Sequence, residues 1–234
     1  MKAVILAAGL GTRLRPLTLE TPKPMIDVAG KPLLERIILD LKKYKITEHV
    51  IVVNYMKEKI MDYFGNGKKF GVDIEYVVQK KPNAGTGDAF LTAKDYIKEK
   101  YFLGITGDEL KDATVLDAIL KNKDVDGVIT AIRVKNPERY GVLEVDGKRV
   151  VRIREKEQNA VSNLVNISLY KFPAEIFDAL EKINLSPRGE LEVTDAINKL
   201  IDDGFNFQFV ESKYYFDVSS LESLEEARKF FAKK

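Results

Sequence analysis

The chain contains no cysteine, no tryptophan and a single histidine in 234 residues. Disulfides and thiolate metal sites are therefore excluded. One histidine, His49 in ITEHVIVV at the entry to an expected strand, is read as structural. Histidine-based metal sites and Ser-His-Asp triads have no material to be built from. No run of 18 apolar residues occurs, so no membrane-spanning helix is expected. The N-terminal MKAVILAAGLGTRL is too short in its apolar part for a signal peptide, and glycines and arginines stand where a cleavage site of small residues would be. A cytoplasmic protein is expected. Charge of one sign is also missing: 38 basic and 36 acidic residues are interspersed, giving a net +2. That is no footprint for nucleic acid or membrane. The 32% charged content, with few glutamines, resembles thermophile usage.

What is present is an α/β pattern. The 45% hydrophobic content suits a chain with a sizeable core. KAVILAA reads as a strand buried on both faces. KPLLERIILDLKKYK follows as a helix with Pro32 near its first turn. HVIVVNY is a strand, KEKIMDYFGNG a helix ending at glycine, VDIEYVVQ a strand, and GTGDAFLTAKDYIKEK a helix. YFLGITGDE is a strand running into a loop, and TVLDAILKN a helix. From Val125 longer strands appear: VDGVITAIRV, the hairpin YGVLEVDGKRVVRIREK, and NLVNISLYKF. Helices PAEIFDALEKI and ELEVTDAINKLIDDG, strands NFQFVES and YYFDVSS, and helix LESLEEARKFFAKK complete the chain. The expected fold is a Rossmann-like, doubly wound mixed α/β sheet in a single domain, with right-handed crossovers. The two halves, residues 1–124 and residues 125–234, are expected to be a nucleotide-side half and a substrate-side half.

The stretch LAAGLGTRLRPLT raises the functional question, and TPKPM follows it. Gly9 and Gly11 fit the start of a dinucleotide G-x-G-x-x-G loop, but Leu14 stands at the third glycine position. The G-x-x-x-x-G-K-[ST] loop is absent. A tight turn with no ligand would leave Thr12, Arg13, Arg15 and Lys23 unexplained. The remaining reading is an anion-binding nest for a triphosphate. Arg13 would supply a forked cation. Lys23, flanked by Pro22 and Pro24, would supply a point charge with a restricted backbone.

These residues resemble the sugar-1-phosphate nucleotidyltransferases, of the glucose-1-phosphate uridylyl- and thymidylyltransferase kind. The resemblance continues through QKKPNAGTGDAF, the GD of ITGDE, NPERYGVLEVD, the EK of RIREKEQNAVSN, RGELEVTDAI and YYFDVSS. Seven motifs in order cover nearly the whole chain. The resemblance implies transfer of a nucleotidyl group from UTP or dTTP to a sugar 1-phosphate, with glucose 1-phosphate as leading acceptor. N-acetylglucosamine 1-phosphate and mannose 1-phosphate are the alternatives. It implies Leu6, Ala8, Gly9, Gly11, Thr12 and Arg13 around the triphosphate, and Gln79, Gly85 and Thr86 around the base. Gly141, Glu155, Lys156 and Asn166 take the sugar phosphate, while Arg13, Lys23 and Lys156 are the catalytic cations. Asp108 and Asp217 hold Mg²⁺, and Glu109 stands ready to assist. Glu190 and Glu192 suit a helix start, and Thr194 and Asp195 support a lid. A homo-oligomer is compatible with the sequence.

Two departures stand out. Asp217-Val218-Ser219-Ser220-Leu221 replaces the commoner D-[IV]-G-T-P, with a serine available to cap the next helix. Asn166-Ile167-Ser168 stands where many relatives carry N-A-G or V-T-G, and the serine narrows that space. No hexapeptide repeat of a left-handed β-helix occurs in these residues, so acetyl-CoA chemistry is not expected of them. A non-catalytic nucleotide-sugar sensor on the same fold, and a Rossmann oxidoreductase, are the rival classes. The first is disfavoured by the retention of Arg13, Lys23, Asp108 and Asp217, the second by the missing third glycine.

Overall fold

Strand β1, Ala3–Ala7, is buried along its whole length in the computed structural model of the protein. The structure describes residues 1–233 except Pro82, Gln158 and Val161. Two of the quoted motifs include residues outside that set: QKKPNAGTGDAF at Pro82, and RIREKEQNAVSN at Gln158 and Val161. Ala3, Ile5 and Ala7 of β1 point into one core, and Val4 and Leu6 into another. This explains the unbroken apolar run, because a central parallel strand has no solvent face.

The remaining elements follow in chain order. They are β2 (Asp27–Val28), β3 (Lys31–Pro32), α1 (Leu33–Lys43), β4 (Glu48–Val53), α2 (Lys57–Phe64), β5 (Asp73–Val78), α3 (Thr86–Thr92), β6 (Tyr101–Thr106), β7 (Glu109–Lys111) and α4 (Val115–Lys121). Then come β8 (Gly127–Arg133), β9 (Gly141–Asp146), β10 (Arg149–Glu155), β11 (Leu164–Pro173), α5 (Ile176–Lys182), α6 (Val193–Asp202), β12 (Phe207–Glu211), β13 (Tyr215–Asp217) and α7 (Leu221–Phe231).

Nine strands form one mixed sheet in the order β5-β4-β1-β6-β11-β8-β12-β10-β9. β5, β4, β1 and β6 run parallel. β11 enters antiparallel to β6 and carries the sheet into the second half of the chain. Helices α1, α2, α4 and α7 contribute to the core on one face, and α3, α5 and α6 to that on the other. The expected mixed α/β sheet is thus the observed one.

Two expectations are corrected in detail. The helix expected over GTGDAFLTAKDYIKEK is α3 alone, ending at Thr92, followed by a 3-10 turn at Lys94–Tyr96. The Thr92 hydroxyl bonds back to the Asp88 carbonyl in that last turn, a competitor for the helical ladder. The loop expected after ITGD is instead the short strand β7, which pairs antiparallel with β13. That pairing sets Glu109 opposite Asp217 and so joins segments far apart in the chain.

The order of strands reverses at β1, whose neighbours are β4 on one side and β6 on the other. Crevices for ligands form at such a switch point, outside the carboxyl ends of the strands. Ala8–Arg13, Gln79 and Asp108 all follow the carboxyl ends of β1, β5 and β6. Among the described residues, no helix is long and apolar enough to cross a membrane.

Candidate active site

A cavity of about 600 Å³ opens at that edge. All the residues expected at the site lie on its wall: Leu6, Ala8, Gly9, Gly11, Thr12, Arg13 and Lys23 from the first loop, and Gln79, Gly85 and Thr86 from the second. Asp108 and Asp217, and Gly141, Glu155, Lys156 and Asn166, complete it, with Glu109 and Thr194 beside them.

The two glycines of the first loop do different things. Gly11 has φ +63°, and a Cβ there would stand 2.9 Å from Thr18 Cγ2 and 3.1 Å from Lys23 Cβ. The Thr18 hydroxyl, itself buried, donates to the Gly11 carbonyl at 2.8 Å. Gly11 therefore closes the loop on the protein. A Cβ on Gly9 would meet nothing within 4 Å, and Gly9 is exposed on the cavity wall. Its bare backbone is open to the cavity. Arg13 and Thr12 are exposed there too.

Lys23 is 93% buried in a 3-10 turn. Its Nζ donates to Asp108 Oδ2 at 2.7 Å and stands 3.6 Å from Asp217 Oδ1. Burial alone would pull its pKa down, but the two carboxylates outweigh this and hold it above the usual lysine value. Burial likewise opposes ionisation of Asp108, and Lys23 overrides it, so Asp108 is held below the ordinary carboxylate range. Asp217 is oriented by Ser219, whose hydroxyl donates to Oδ2 at 2.7 Å. The departure from the commoner glycine thus adds a hydrogen bond to this carboxylate. The next residue, Ser220, caps α7 with a capping box to Ser223.

Glu109 is committed to the protein. It accepts from Thr106 Oγ1 at 2.9 Å, Tyr215 Oη at 2.9 Å and Lys111 Nζ at 3.2 Å. Burial raises its pKa, with the charges of Asp108 and Asp217 acting in the same direction and Lys111 against them. Lys111, buried, is pushed down by desolvation. This lysine was not singled out from the sequence. Its only signal is a charged residue at an inward position of the ELK strand.

Gln79 is 96% buried and its Nε2 donates to Asp88 Oδ2 at 2.7 Å. A carboxylate accepts only, so Asp88 fixes which end of the amide is which. Oε1 has no donor among the described residues and remains for an incoming group. The sequence reading missed Asp88, which lies within the GTGD motif. Gly85 and Gly87 serve a packing role that was also missed. The backbone of Leu191 crosses them so closely that a Cβ on Gly87 would stand 2.7 Å from its carbonyl oxygen. Gly87 N–H donates to that oxygen at 2.7 Å, and Leu191 N–H to Ala84 O at 2.8 Å. The RGELEV segment is thereby clasped to the turn that leads into α3.

On the far wall, Glu155 accepts from Thr194 Oγ1 at 3.3 Å, and Lys156 Nζ stands 3.6 Å from it. A Cβ on Gly141 would meet Glu155 Oε2 at 2.9 Å, so this glycine makes room for the carboxylate. Glu192, at the start of α6, pairs with Arg188 at 2.6 Å. Asn166 spends Nδ2 on Tyr170 Oη at 2.6 Å and Oδ1 on Ser168 N–H at 3.0 Å. His49 is buried, with Nε2 3.0 Å from the Ile46 carbonyl and far from any cavity residue in sequence.

The fold and the cleft define a Rossmann-like α/β protein with cations and paired carboxylates at its switch point. A model of the family described as "Nucleotidyl transferase" matches residues 2–234, and the chain belongs to that family. It is 41% identical to the "Bifunctional protein GlmU" of Methanocaldococcus jannaschii across all of this chain and 55% of the relative. It is 38% identical to the "Low-salt glycan biosynthesis nucleotidyltransferase Agl11" of Haloferax volcanii, over 88% of this chain and 58% of the relative. The glucose-1-phosphate thymidylyltransferase of Streptomyces griseus is 33% identical over 98% of this chain and 65% of the relative. The chain spans about half the length of the GlmU relatives it matches. A crystal structure from Bacillus anthracis, assigned as a glucose-1-phosphate thymidylyltransferase and solved with sucrose, superposes with a TM-score of 0.90 at 26% identity, covering 100% of this chain and 96% of that one.

Proposed function

We propose that the protein transfers a nucleotidyl group from UTP or dTTP to a sugar 1-phosphate and releases pyrophosphate. The observation that carries this reading is the meeting of Asp108, Asp217 and Lys23 in the same cavity as the glycine-rich loop and Lys156. An oxygen of the sugar's phosphate attacks the α-phosphorus in line. The new P–O bond forms as the bond to the oxygen bridging the α- and β-phosphorus breaks, and that oxygen leaves with pyrophosphate. The nucleophile is already anionic, so no general base is required. Positioning and neutralisation of charge do the work.

Arg13 grips the triphosphate against the open backbone of Gly9. Lys23 meets the phosphoryl group under attack, and Lys156 holds the incoming sugar phosphate. Lys156 has φ +52°, an uncommon conformation for a residue with a Cβ, retained on the cavity wall. Two carboxylates within reach of one ammonium provide hard oxygen donors suited to Mg²⁺. Asp108 and Asp217 would hold the ion; among the described residues no third carboxylate, histidine or cysteine joins them in a metal-holding group. When bound there, Mg²⁺ would supply neutralisation of the charge that builds on the phosphoryl group under attack.

Gln79 supports a uracil or thymine base. Its Oε1 accepts the N3–H of either, and Asp88 prevents the amide from turning to suit cytosine. The name of the Streptomyces griseus relative specifies thymidylyl transfer to glucose 1-phosphate, which supports dTTP and glucose 1-phosphate among the pairs. The test is pyrophosphate release with Mg²⁺ for UTP, dTTP, CTP, GTP and ATP against the 1-phosphates of glucose, N-acetylglucosamine and mannose. Release with UTP or dTTP and one hexose 1-phosphate is expected. Silence across the grid from folded, nucleotide-binding protein would overturn the reading in favour of a sensor.

A further inference from the structure

Ser168 holds a conformation that a side chain resists. Its φ is +50°, in the left-handed region where glycine sits freely. It lies in an irregular stretch of β11. There, the five residues from Asn166 to Tyr170 span only three on β8, Ala131 to Ile129. The distortion is held from both sides: Asn166 Oδ1 accepts the Ser168 N–H at 3.0 Å, and Lys111 Nζ donates to the Ser168 carbonyl at 3.3 Å. Ile167 and Leu169, on either side, are 0% and 2% exposed and belong to two different cores. Ser168 alone of the three lines the cavity, between Asn166 and Tyr170. Its hydroxyl stands beside the phenol oxygen of Tyr170, which already accepts from Asn166.

Backbone strain of this kind persists where the surroundings over-determine it, and it gathers at ligand clamps. We propose that Ser168 is a specificity-determining residue for the sugar. Its hydroxyl hydrogen-bonds a free hydroxyl of the hexose ring, and its Cβ occupies the space a bulkier substituent there would need. The inference rests on the reading of the cavity as a sugar 1-phosphate site and commits it to a hexose 1-phosphate with unsubstituted hydroxyls over its acetamido analogue.

The experiment measures kcat/KM for glucose 1-phosphate and N-acetylglucosamine 1-phosphate in the wild type, Ser168→Gly and Ser168→Ala, with KM for the nucleotide and Tm alongside. The wild type is expected to favour glucose 1-phosphate. Ser168→Gly, which removes the wall and relieves the strain, should shift the ratio toward the acetamido sugar by about tenfold or more without lowering Tm. Ser168→Ala keeps the wall and loses the hydroxyl. It should weaken glucose 1-phosphate about tenfold without admitting the acetamido sugar. KM for the nucleotide should stay put in both. A wild-type preference for the acetamido sugar, or ratios that agree within about twofold across the three proteins, would overturn the proposal. A purely structural role would move Tm and leave the ratios alone. If the wild type uses no sugar phosphate at all, the function proposed above fails and not this assignment.

Discussion

Gly9 and Gly11, two residues apart in one loop, should respond oppositely to the same added methyl group. Alanine at Gly11 must hold φ +63° and press its Cβ to 2.9 Å from Thr18 Cγ2. The backbone cost is about 1–2 kcal/mol, and forced overpacking adds about 1–3 kcal/mol. Taking about 3 kcal/mol for the sum, and about 2–4 °C per kcal/mol for a chain of this size, Gly11→Ala should melt about 6–12 °C lower. Alanine at Gly9 meets no atom within 4 Å and needs no unusual φ. Its stability should change by no more than about 0.5 kcal/mol. Nucleotide is where Gly9→Ala should fail. A ligand at about 100 times its Kd stabilises by about 2.7 kcal/mol, and a tenfold loss of affinity removes about 1.4 kcal/mol of that. Thermal melts with and without UTP, in both variants, read both quantities. Should Gly9→Ala melt as low as Gly11→Ala, or gain as much from UTP as the wild type, the assignment of Gly9 to a close phosphate approach is wrong.

Three more outcomes are expected. Asp108→Asn should lower kcat by about 10²–10³-fold with an unchanged circular dichroism spectrum, and normal turnover would sink the metal assignment. Asp88→Asn frees the Gln79 amide to turn, so discrimination of UTP against CTP in kcat/KM should fall about tenfold or more. Retained discrimination would show that Asp88 does not set the amide. Burial pulls the pKa of His49 below its ordinary 6.5 despite the hydrogen bond to Ile46, so the unfolded chain binds the extra proton first. Its stabilising effect is full above about pH 6.5 and is lost as pH falls below it, by at most about 1.4 kcal/mol per pH unit. Urea titrations between pH 7 and 5.5 should show a shallower slope in His49→Gln, and parallel slopes would refute this.

The parts of the site legible in the sequence were those whose side chains or missing side chains the proposed function assigns to a ligand. The cations Arg13, Lys23 and Lys156, the carboxylates Asp108 and Asp217, and Gly9 all sit in ordered motifs at the ends of expected strands, and the structure sets them around one cavity. Residues that serve other residues stayed hidden. Asp88 is an ordinary helix-start acid until its 2.7 Å bond to Gln79 is seen. Lys111 is one charge among many until β7 pairs with β13 and buries it. No local pattern marks a three-residue strand whose partner lies at the other end of the chain, since its hydrogen bonds are earned only after the rest has folded. The same limit applies to Gly85 and Gly87, whose closeness to Leu191 is a tertiary fact.

The hidden residues also explain how so many like charges share one wall. Asp108, Glu109 and Asp217 would repel one another strongly in a half-buried cleft. Lys111 and the hydroxyls of Thr106 and Tyr215 occupy both oxygens of Glu109, which removes it from competition for a cation. What remains is Asp108 and Asp217 against Lys23, a cluster with one net negative charge. Under the proposed function such a cluster would attract a divalent ion, and the ion with Arg13 and Lys156 would offset the two phosphate groups that must meet. A buried ion pair stabilises a fold poorly, because desolvation consumes most of its attraction. Two of them side by side are therefore better explained by the placement of charge than by stability, and β7–β13 pairing is the backbone element that sets that placement.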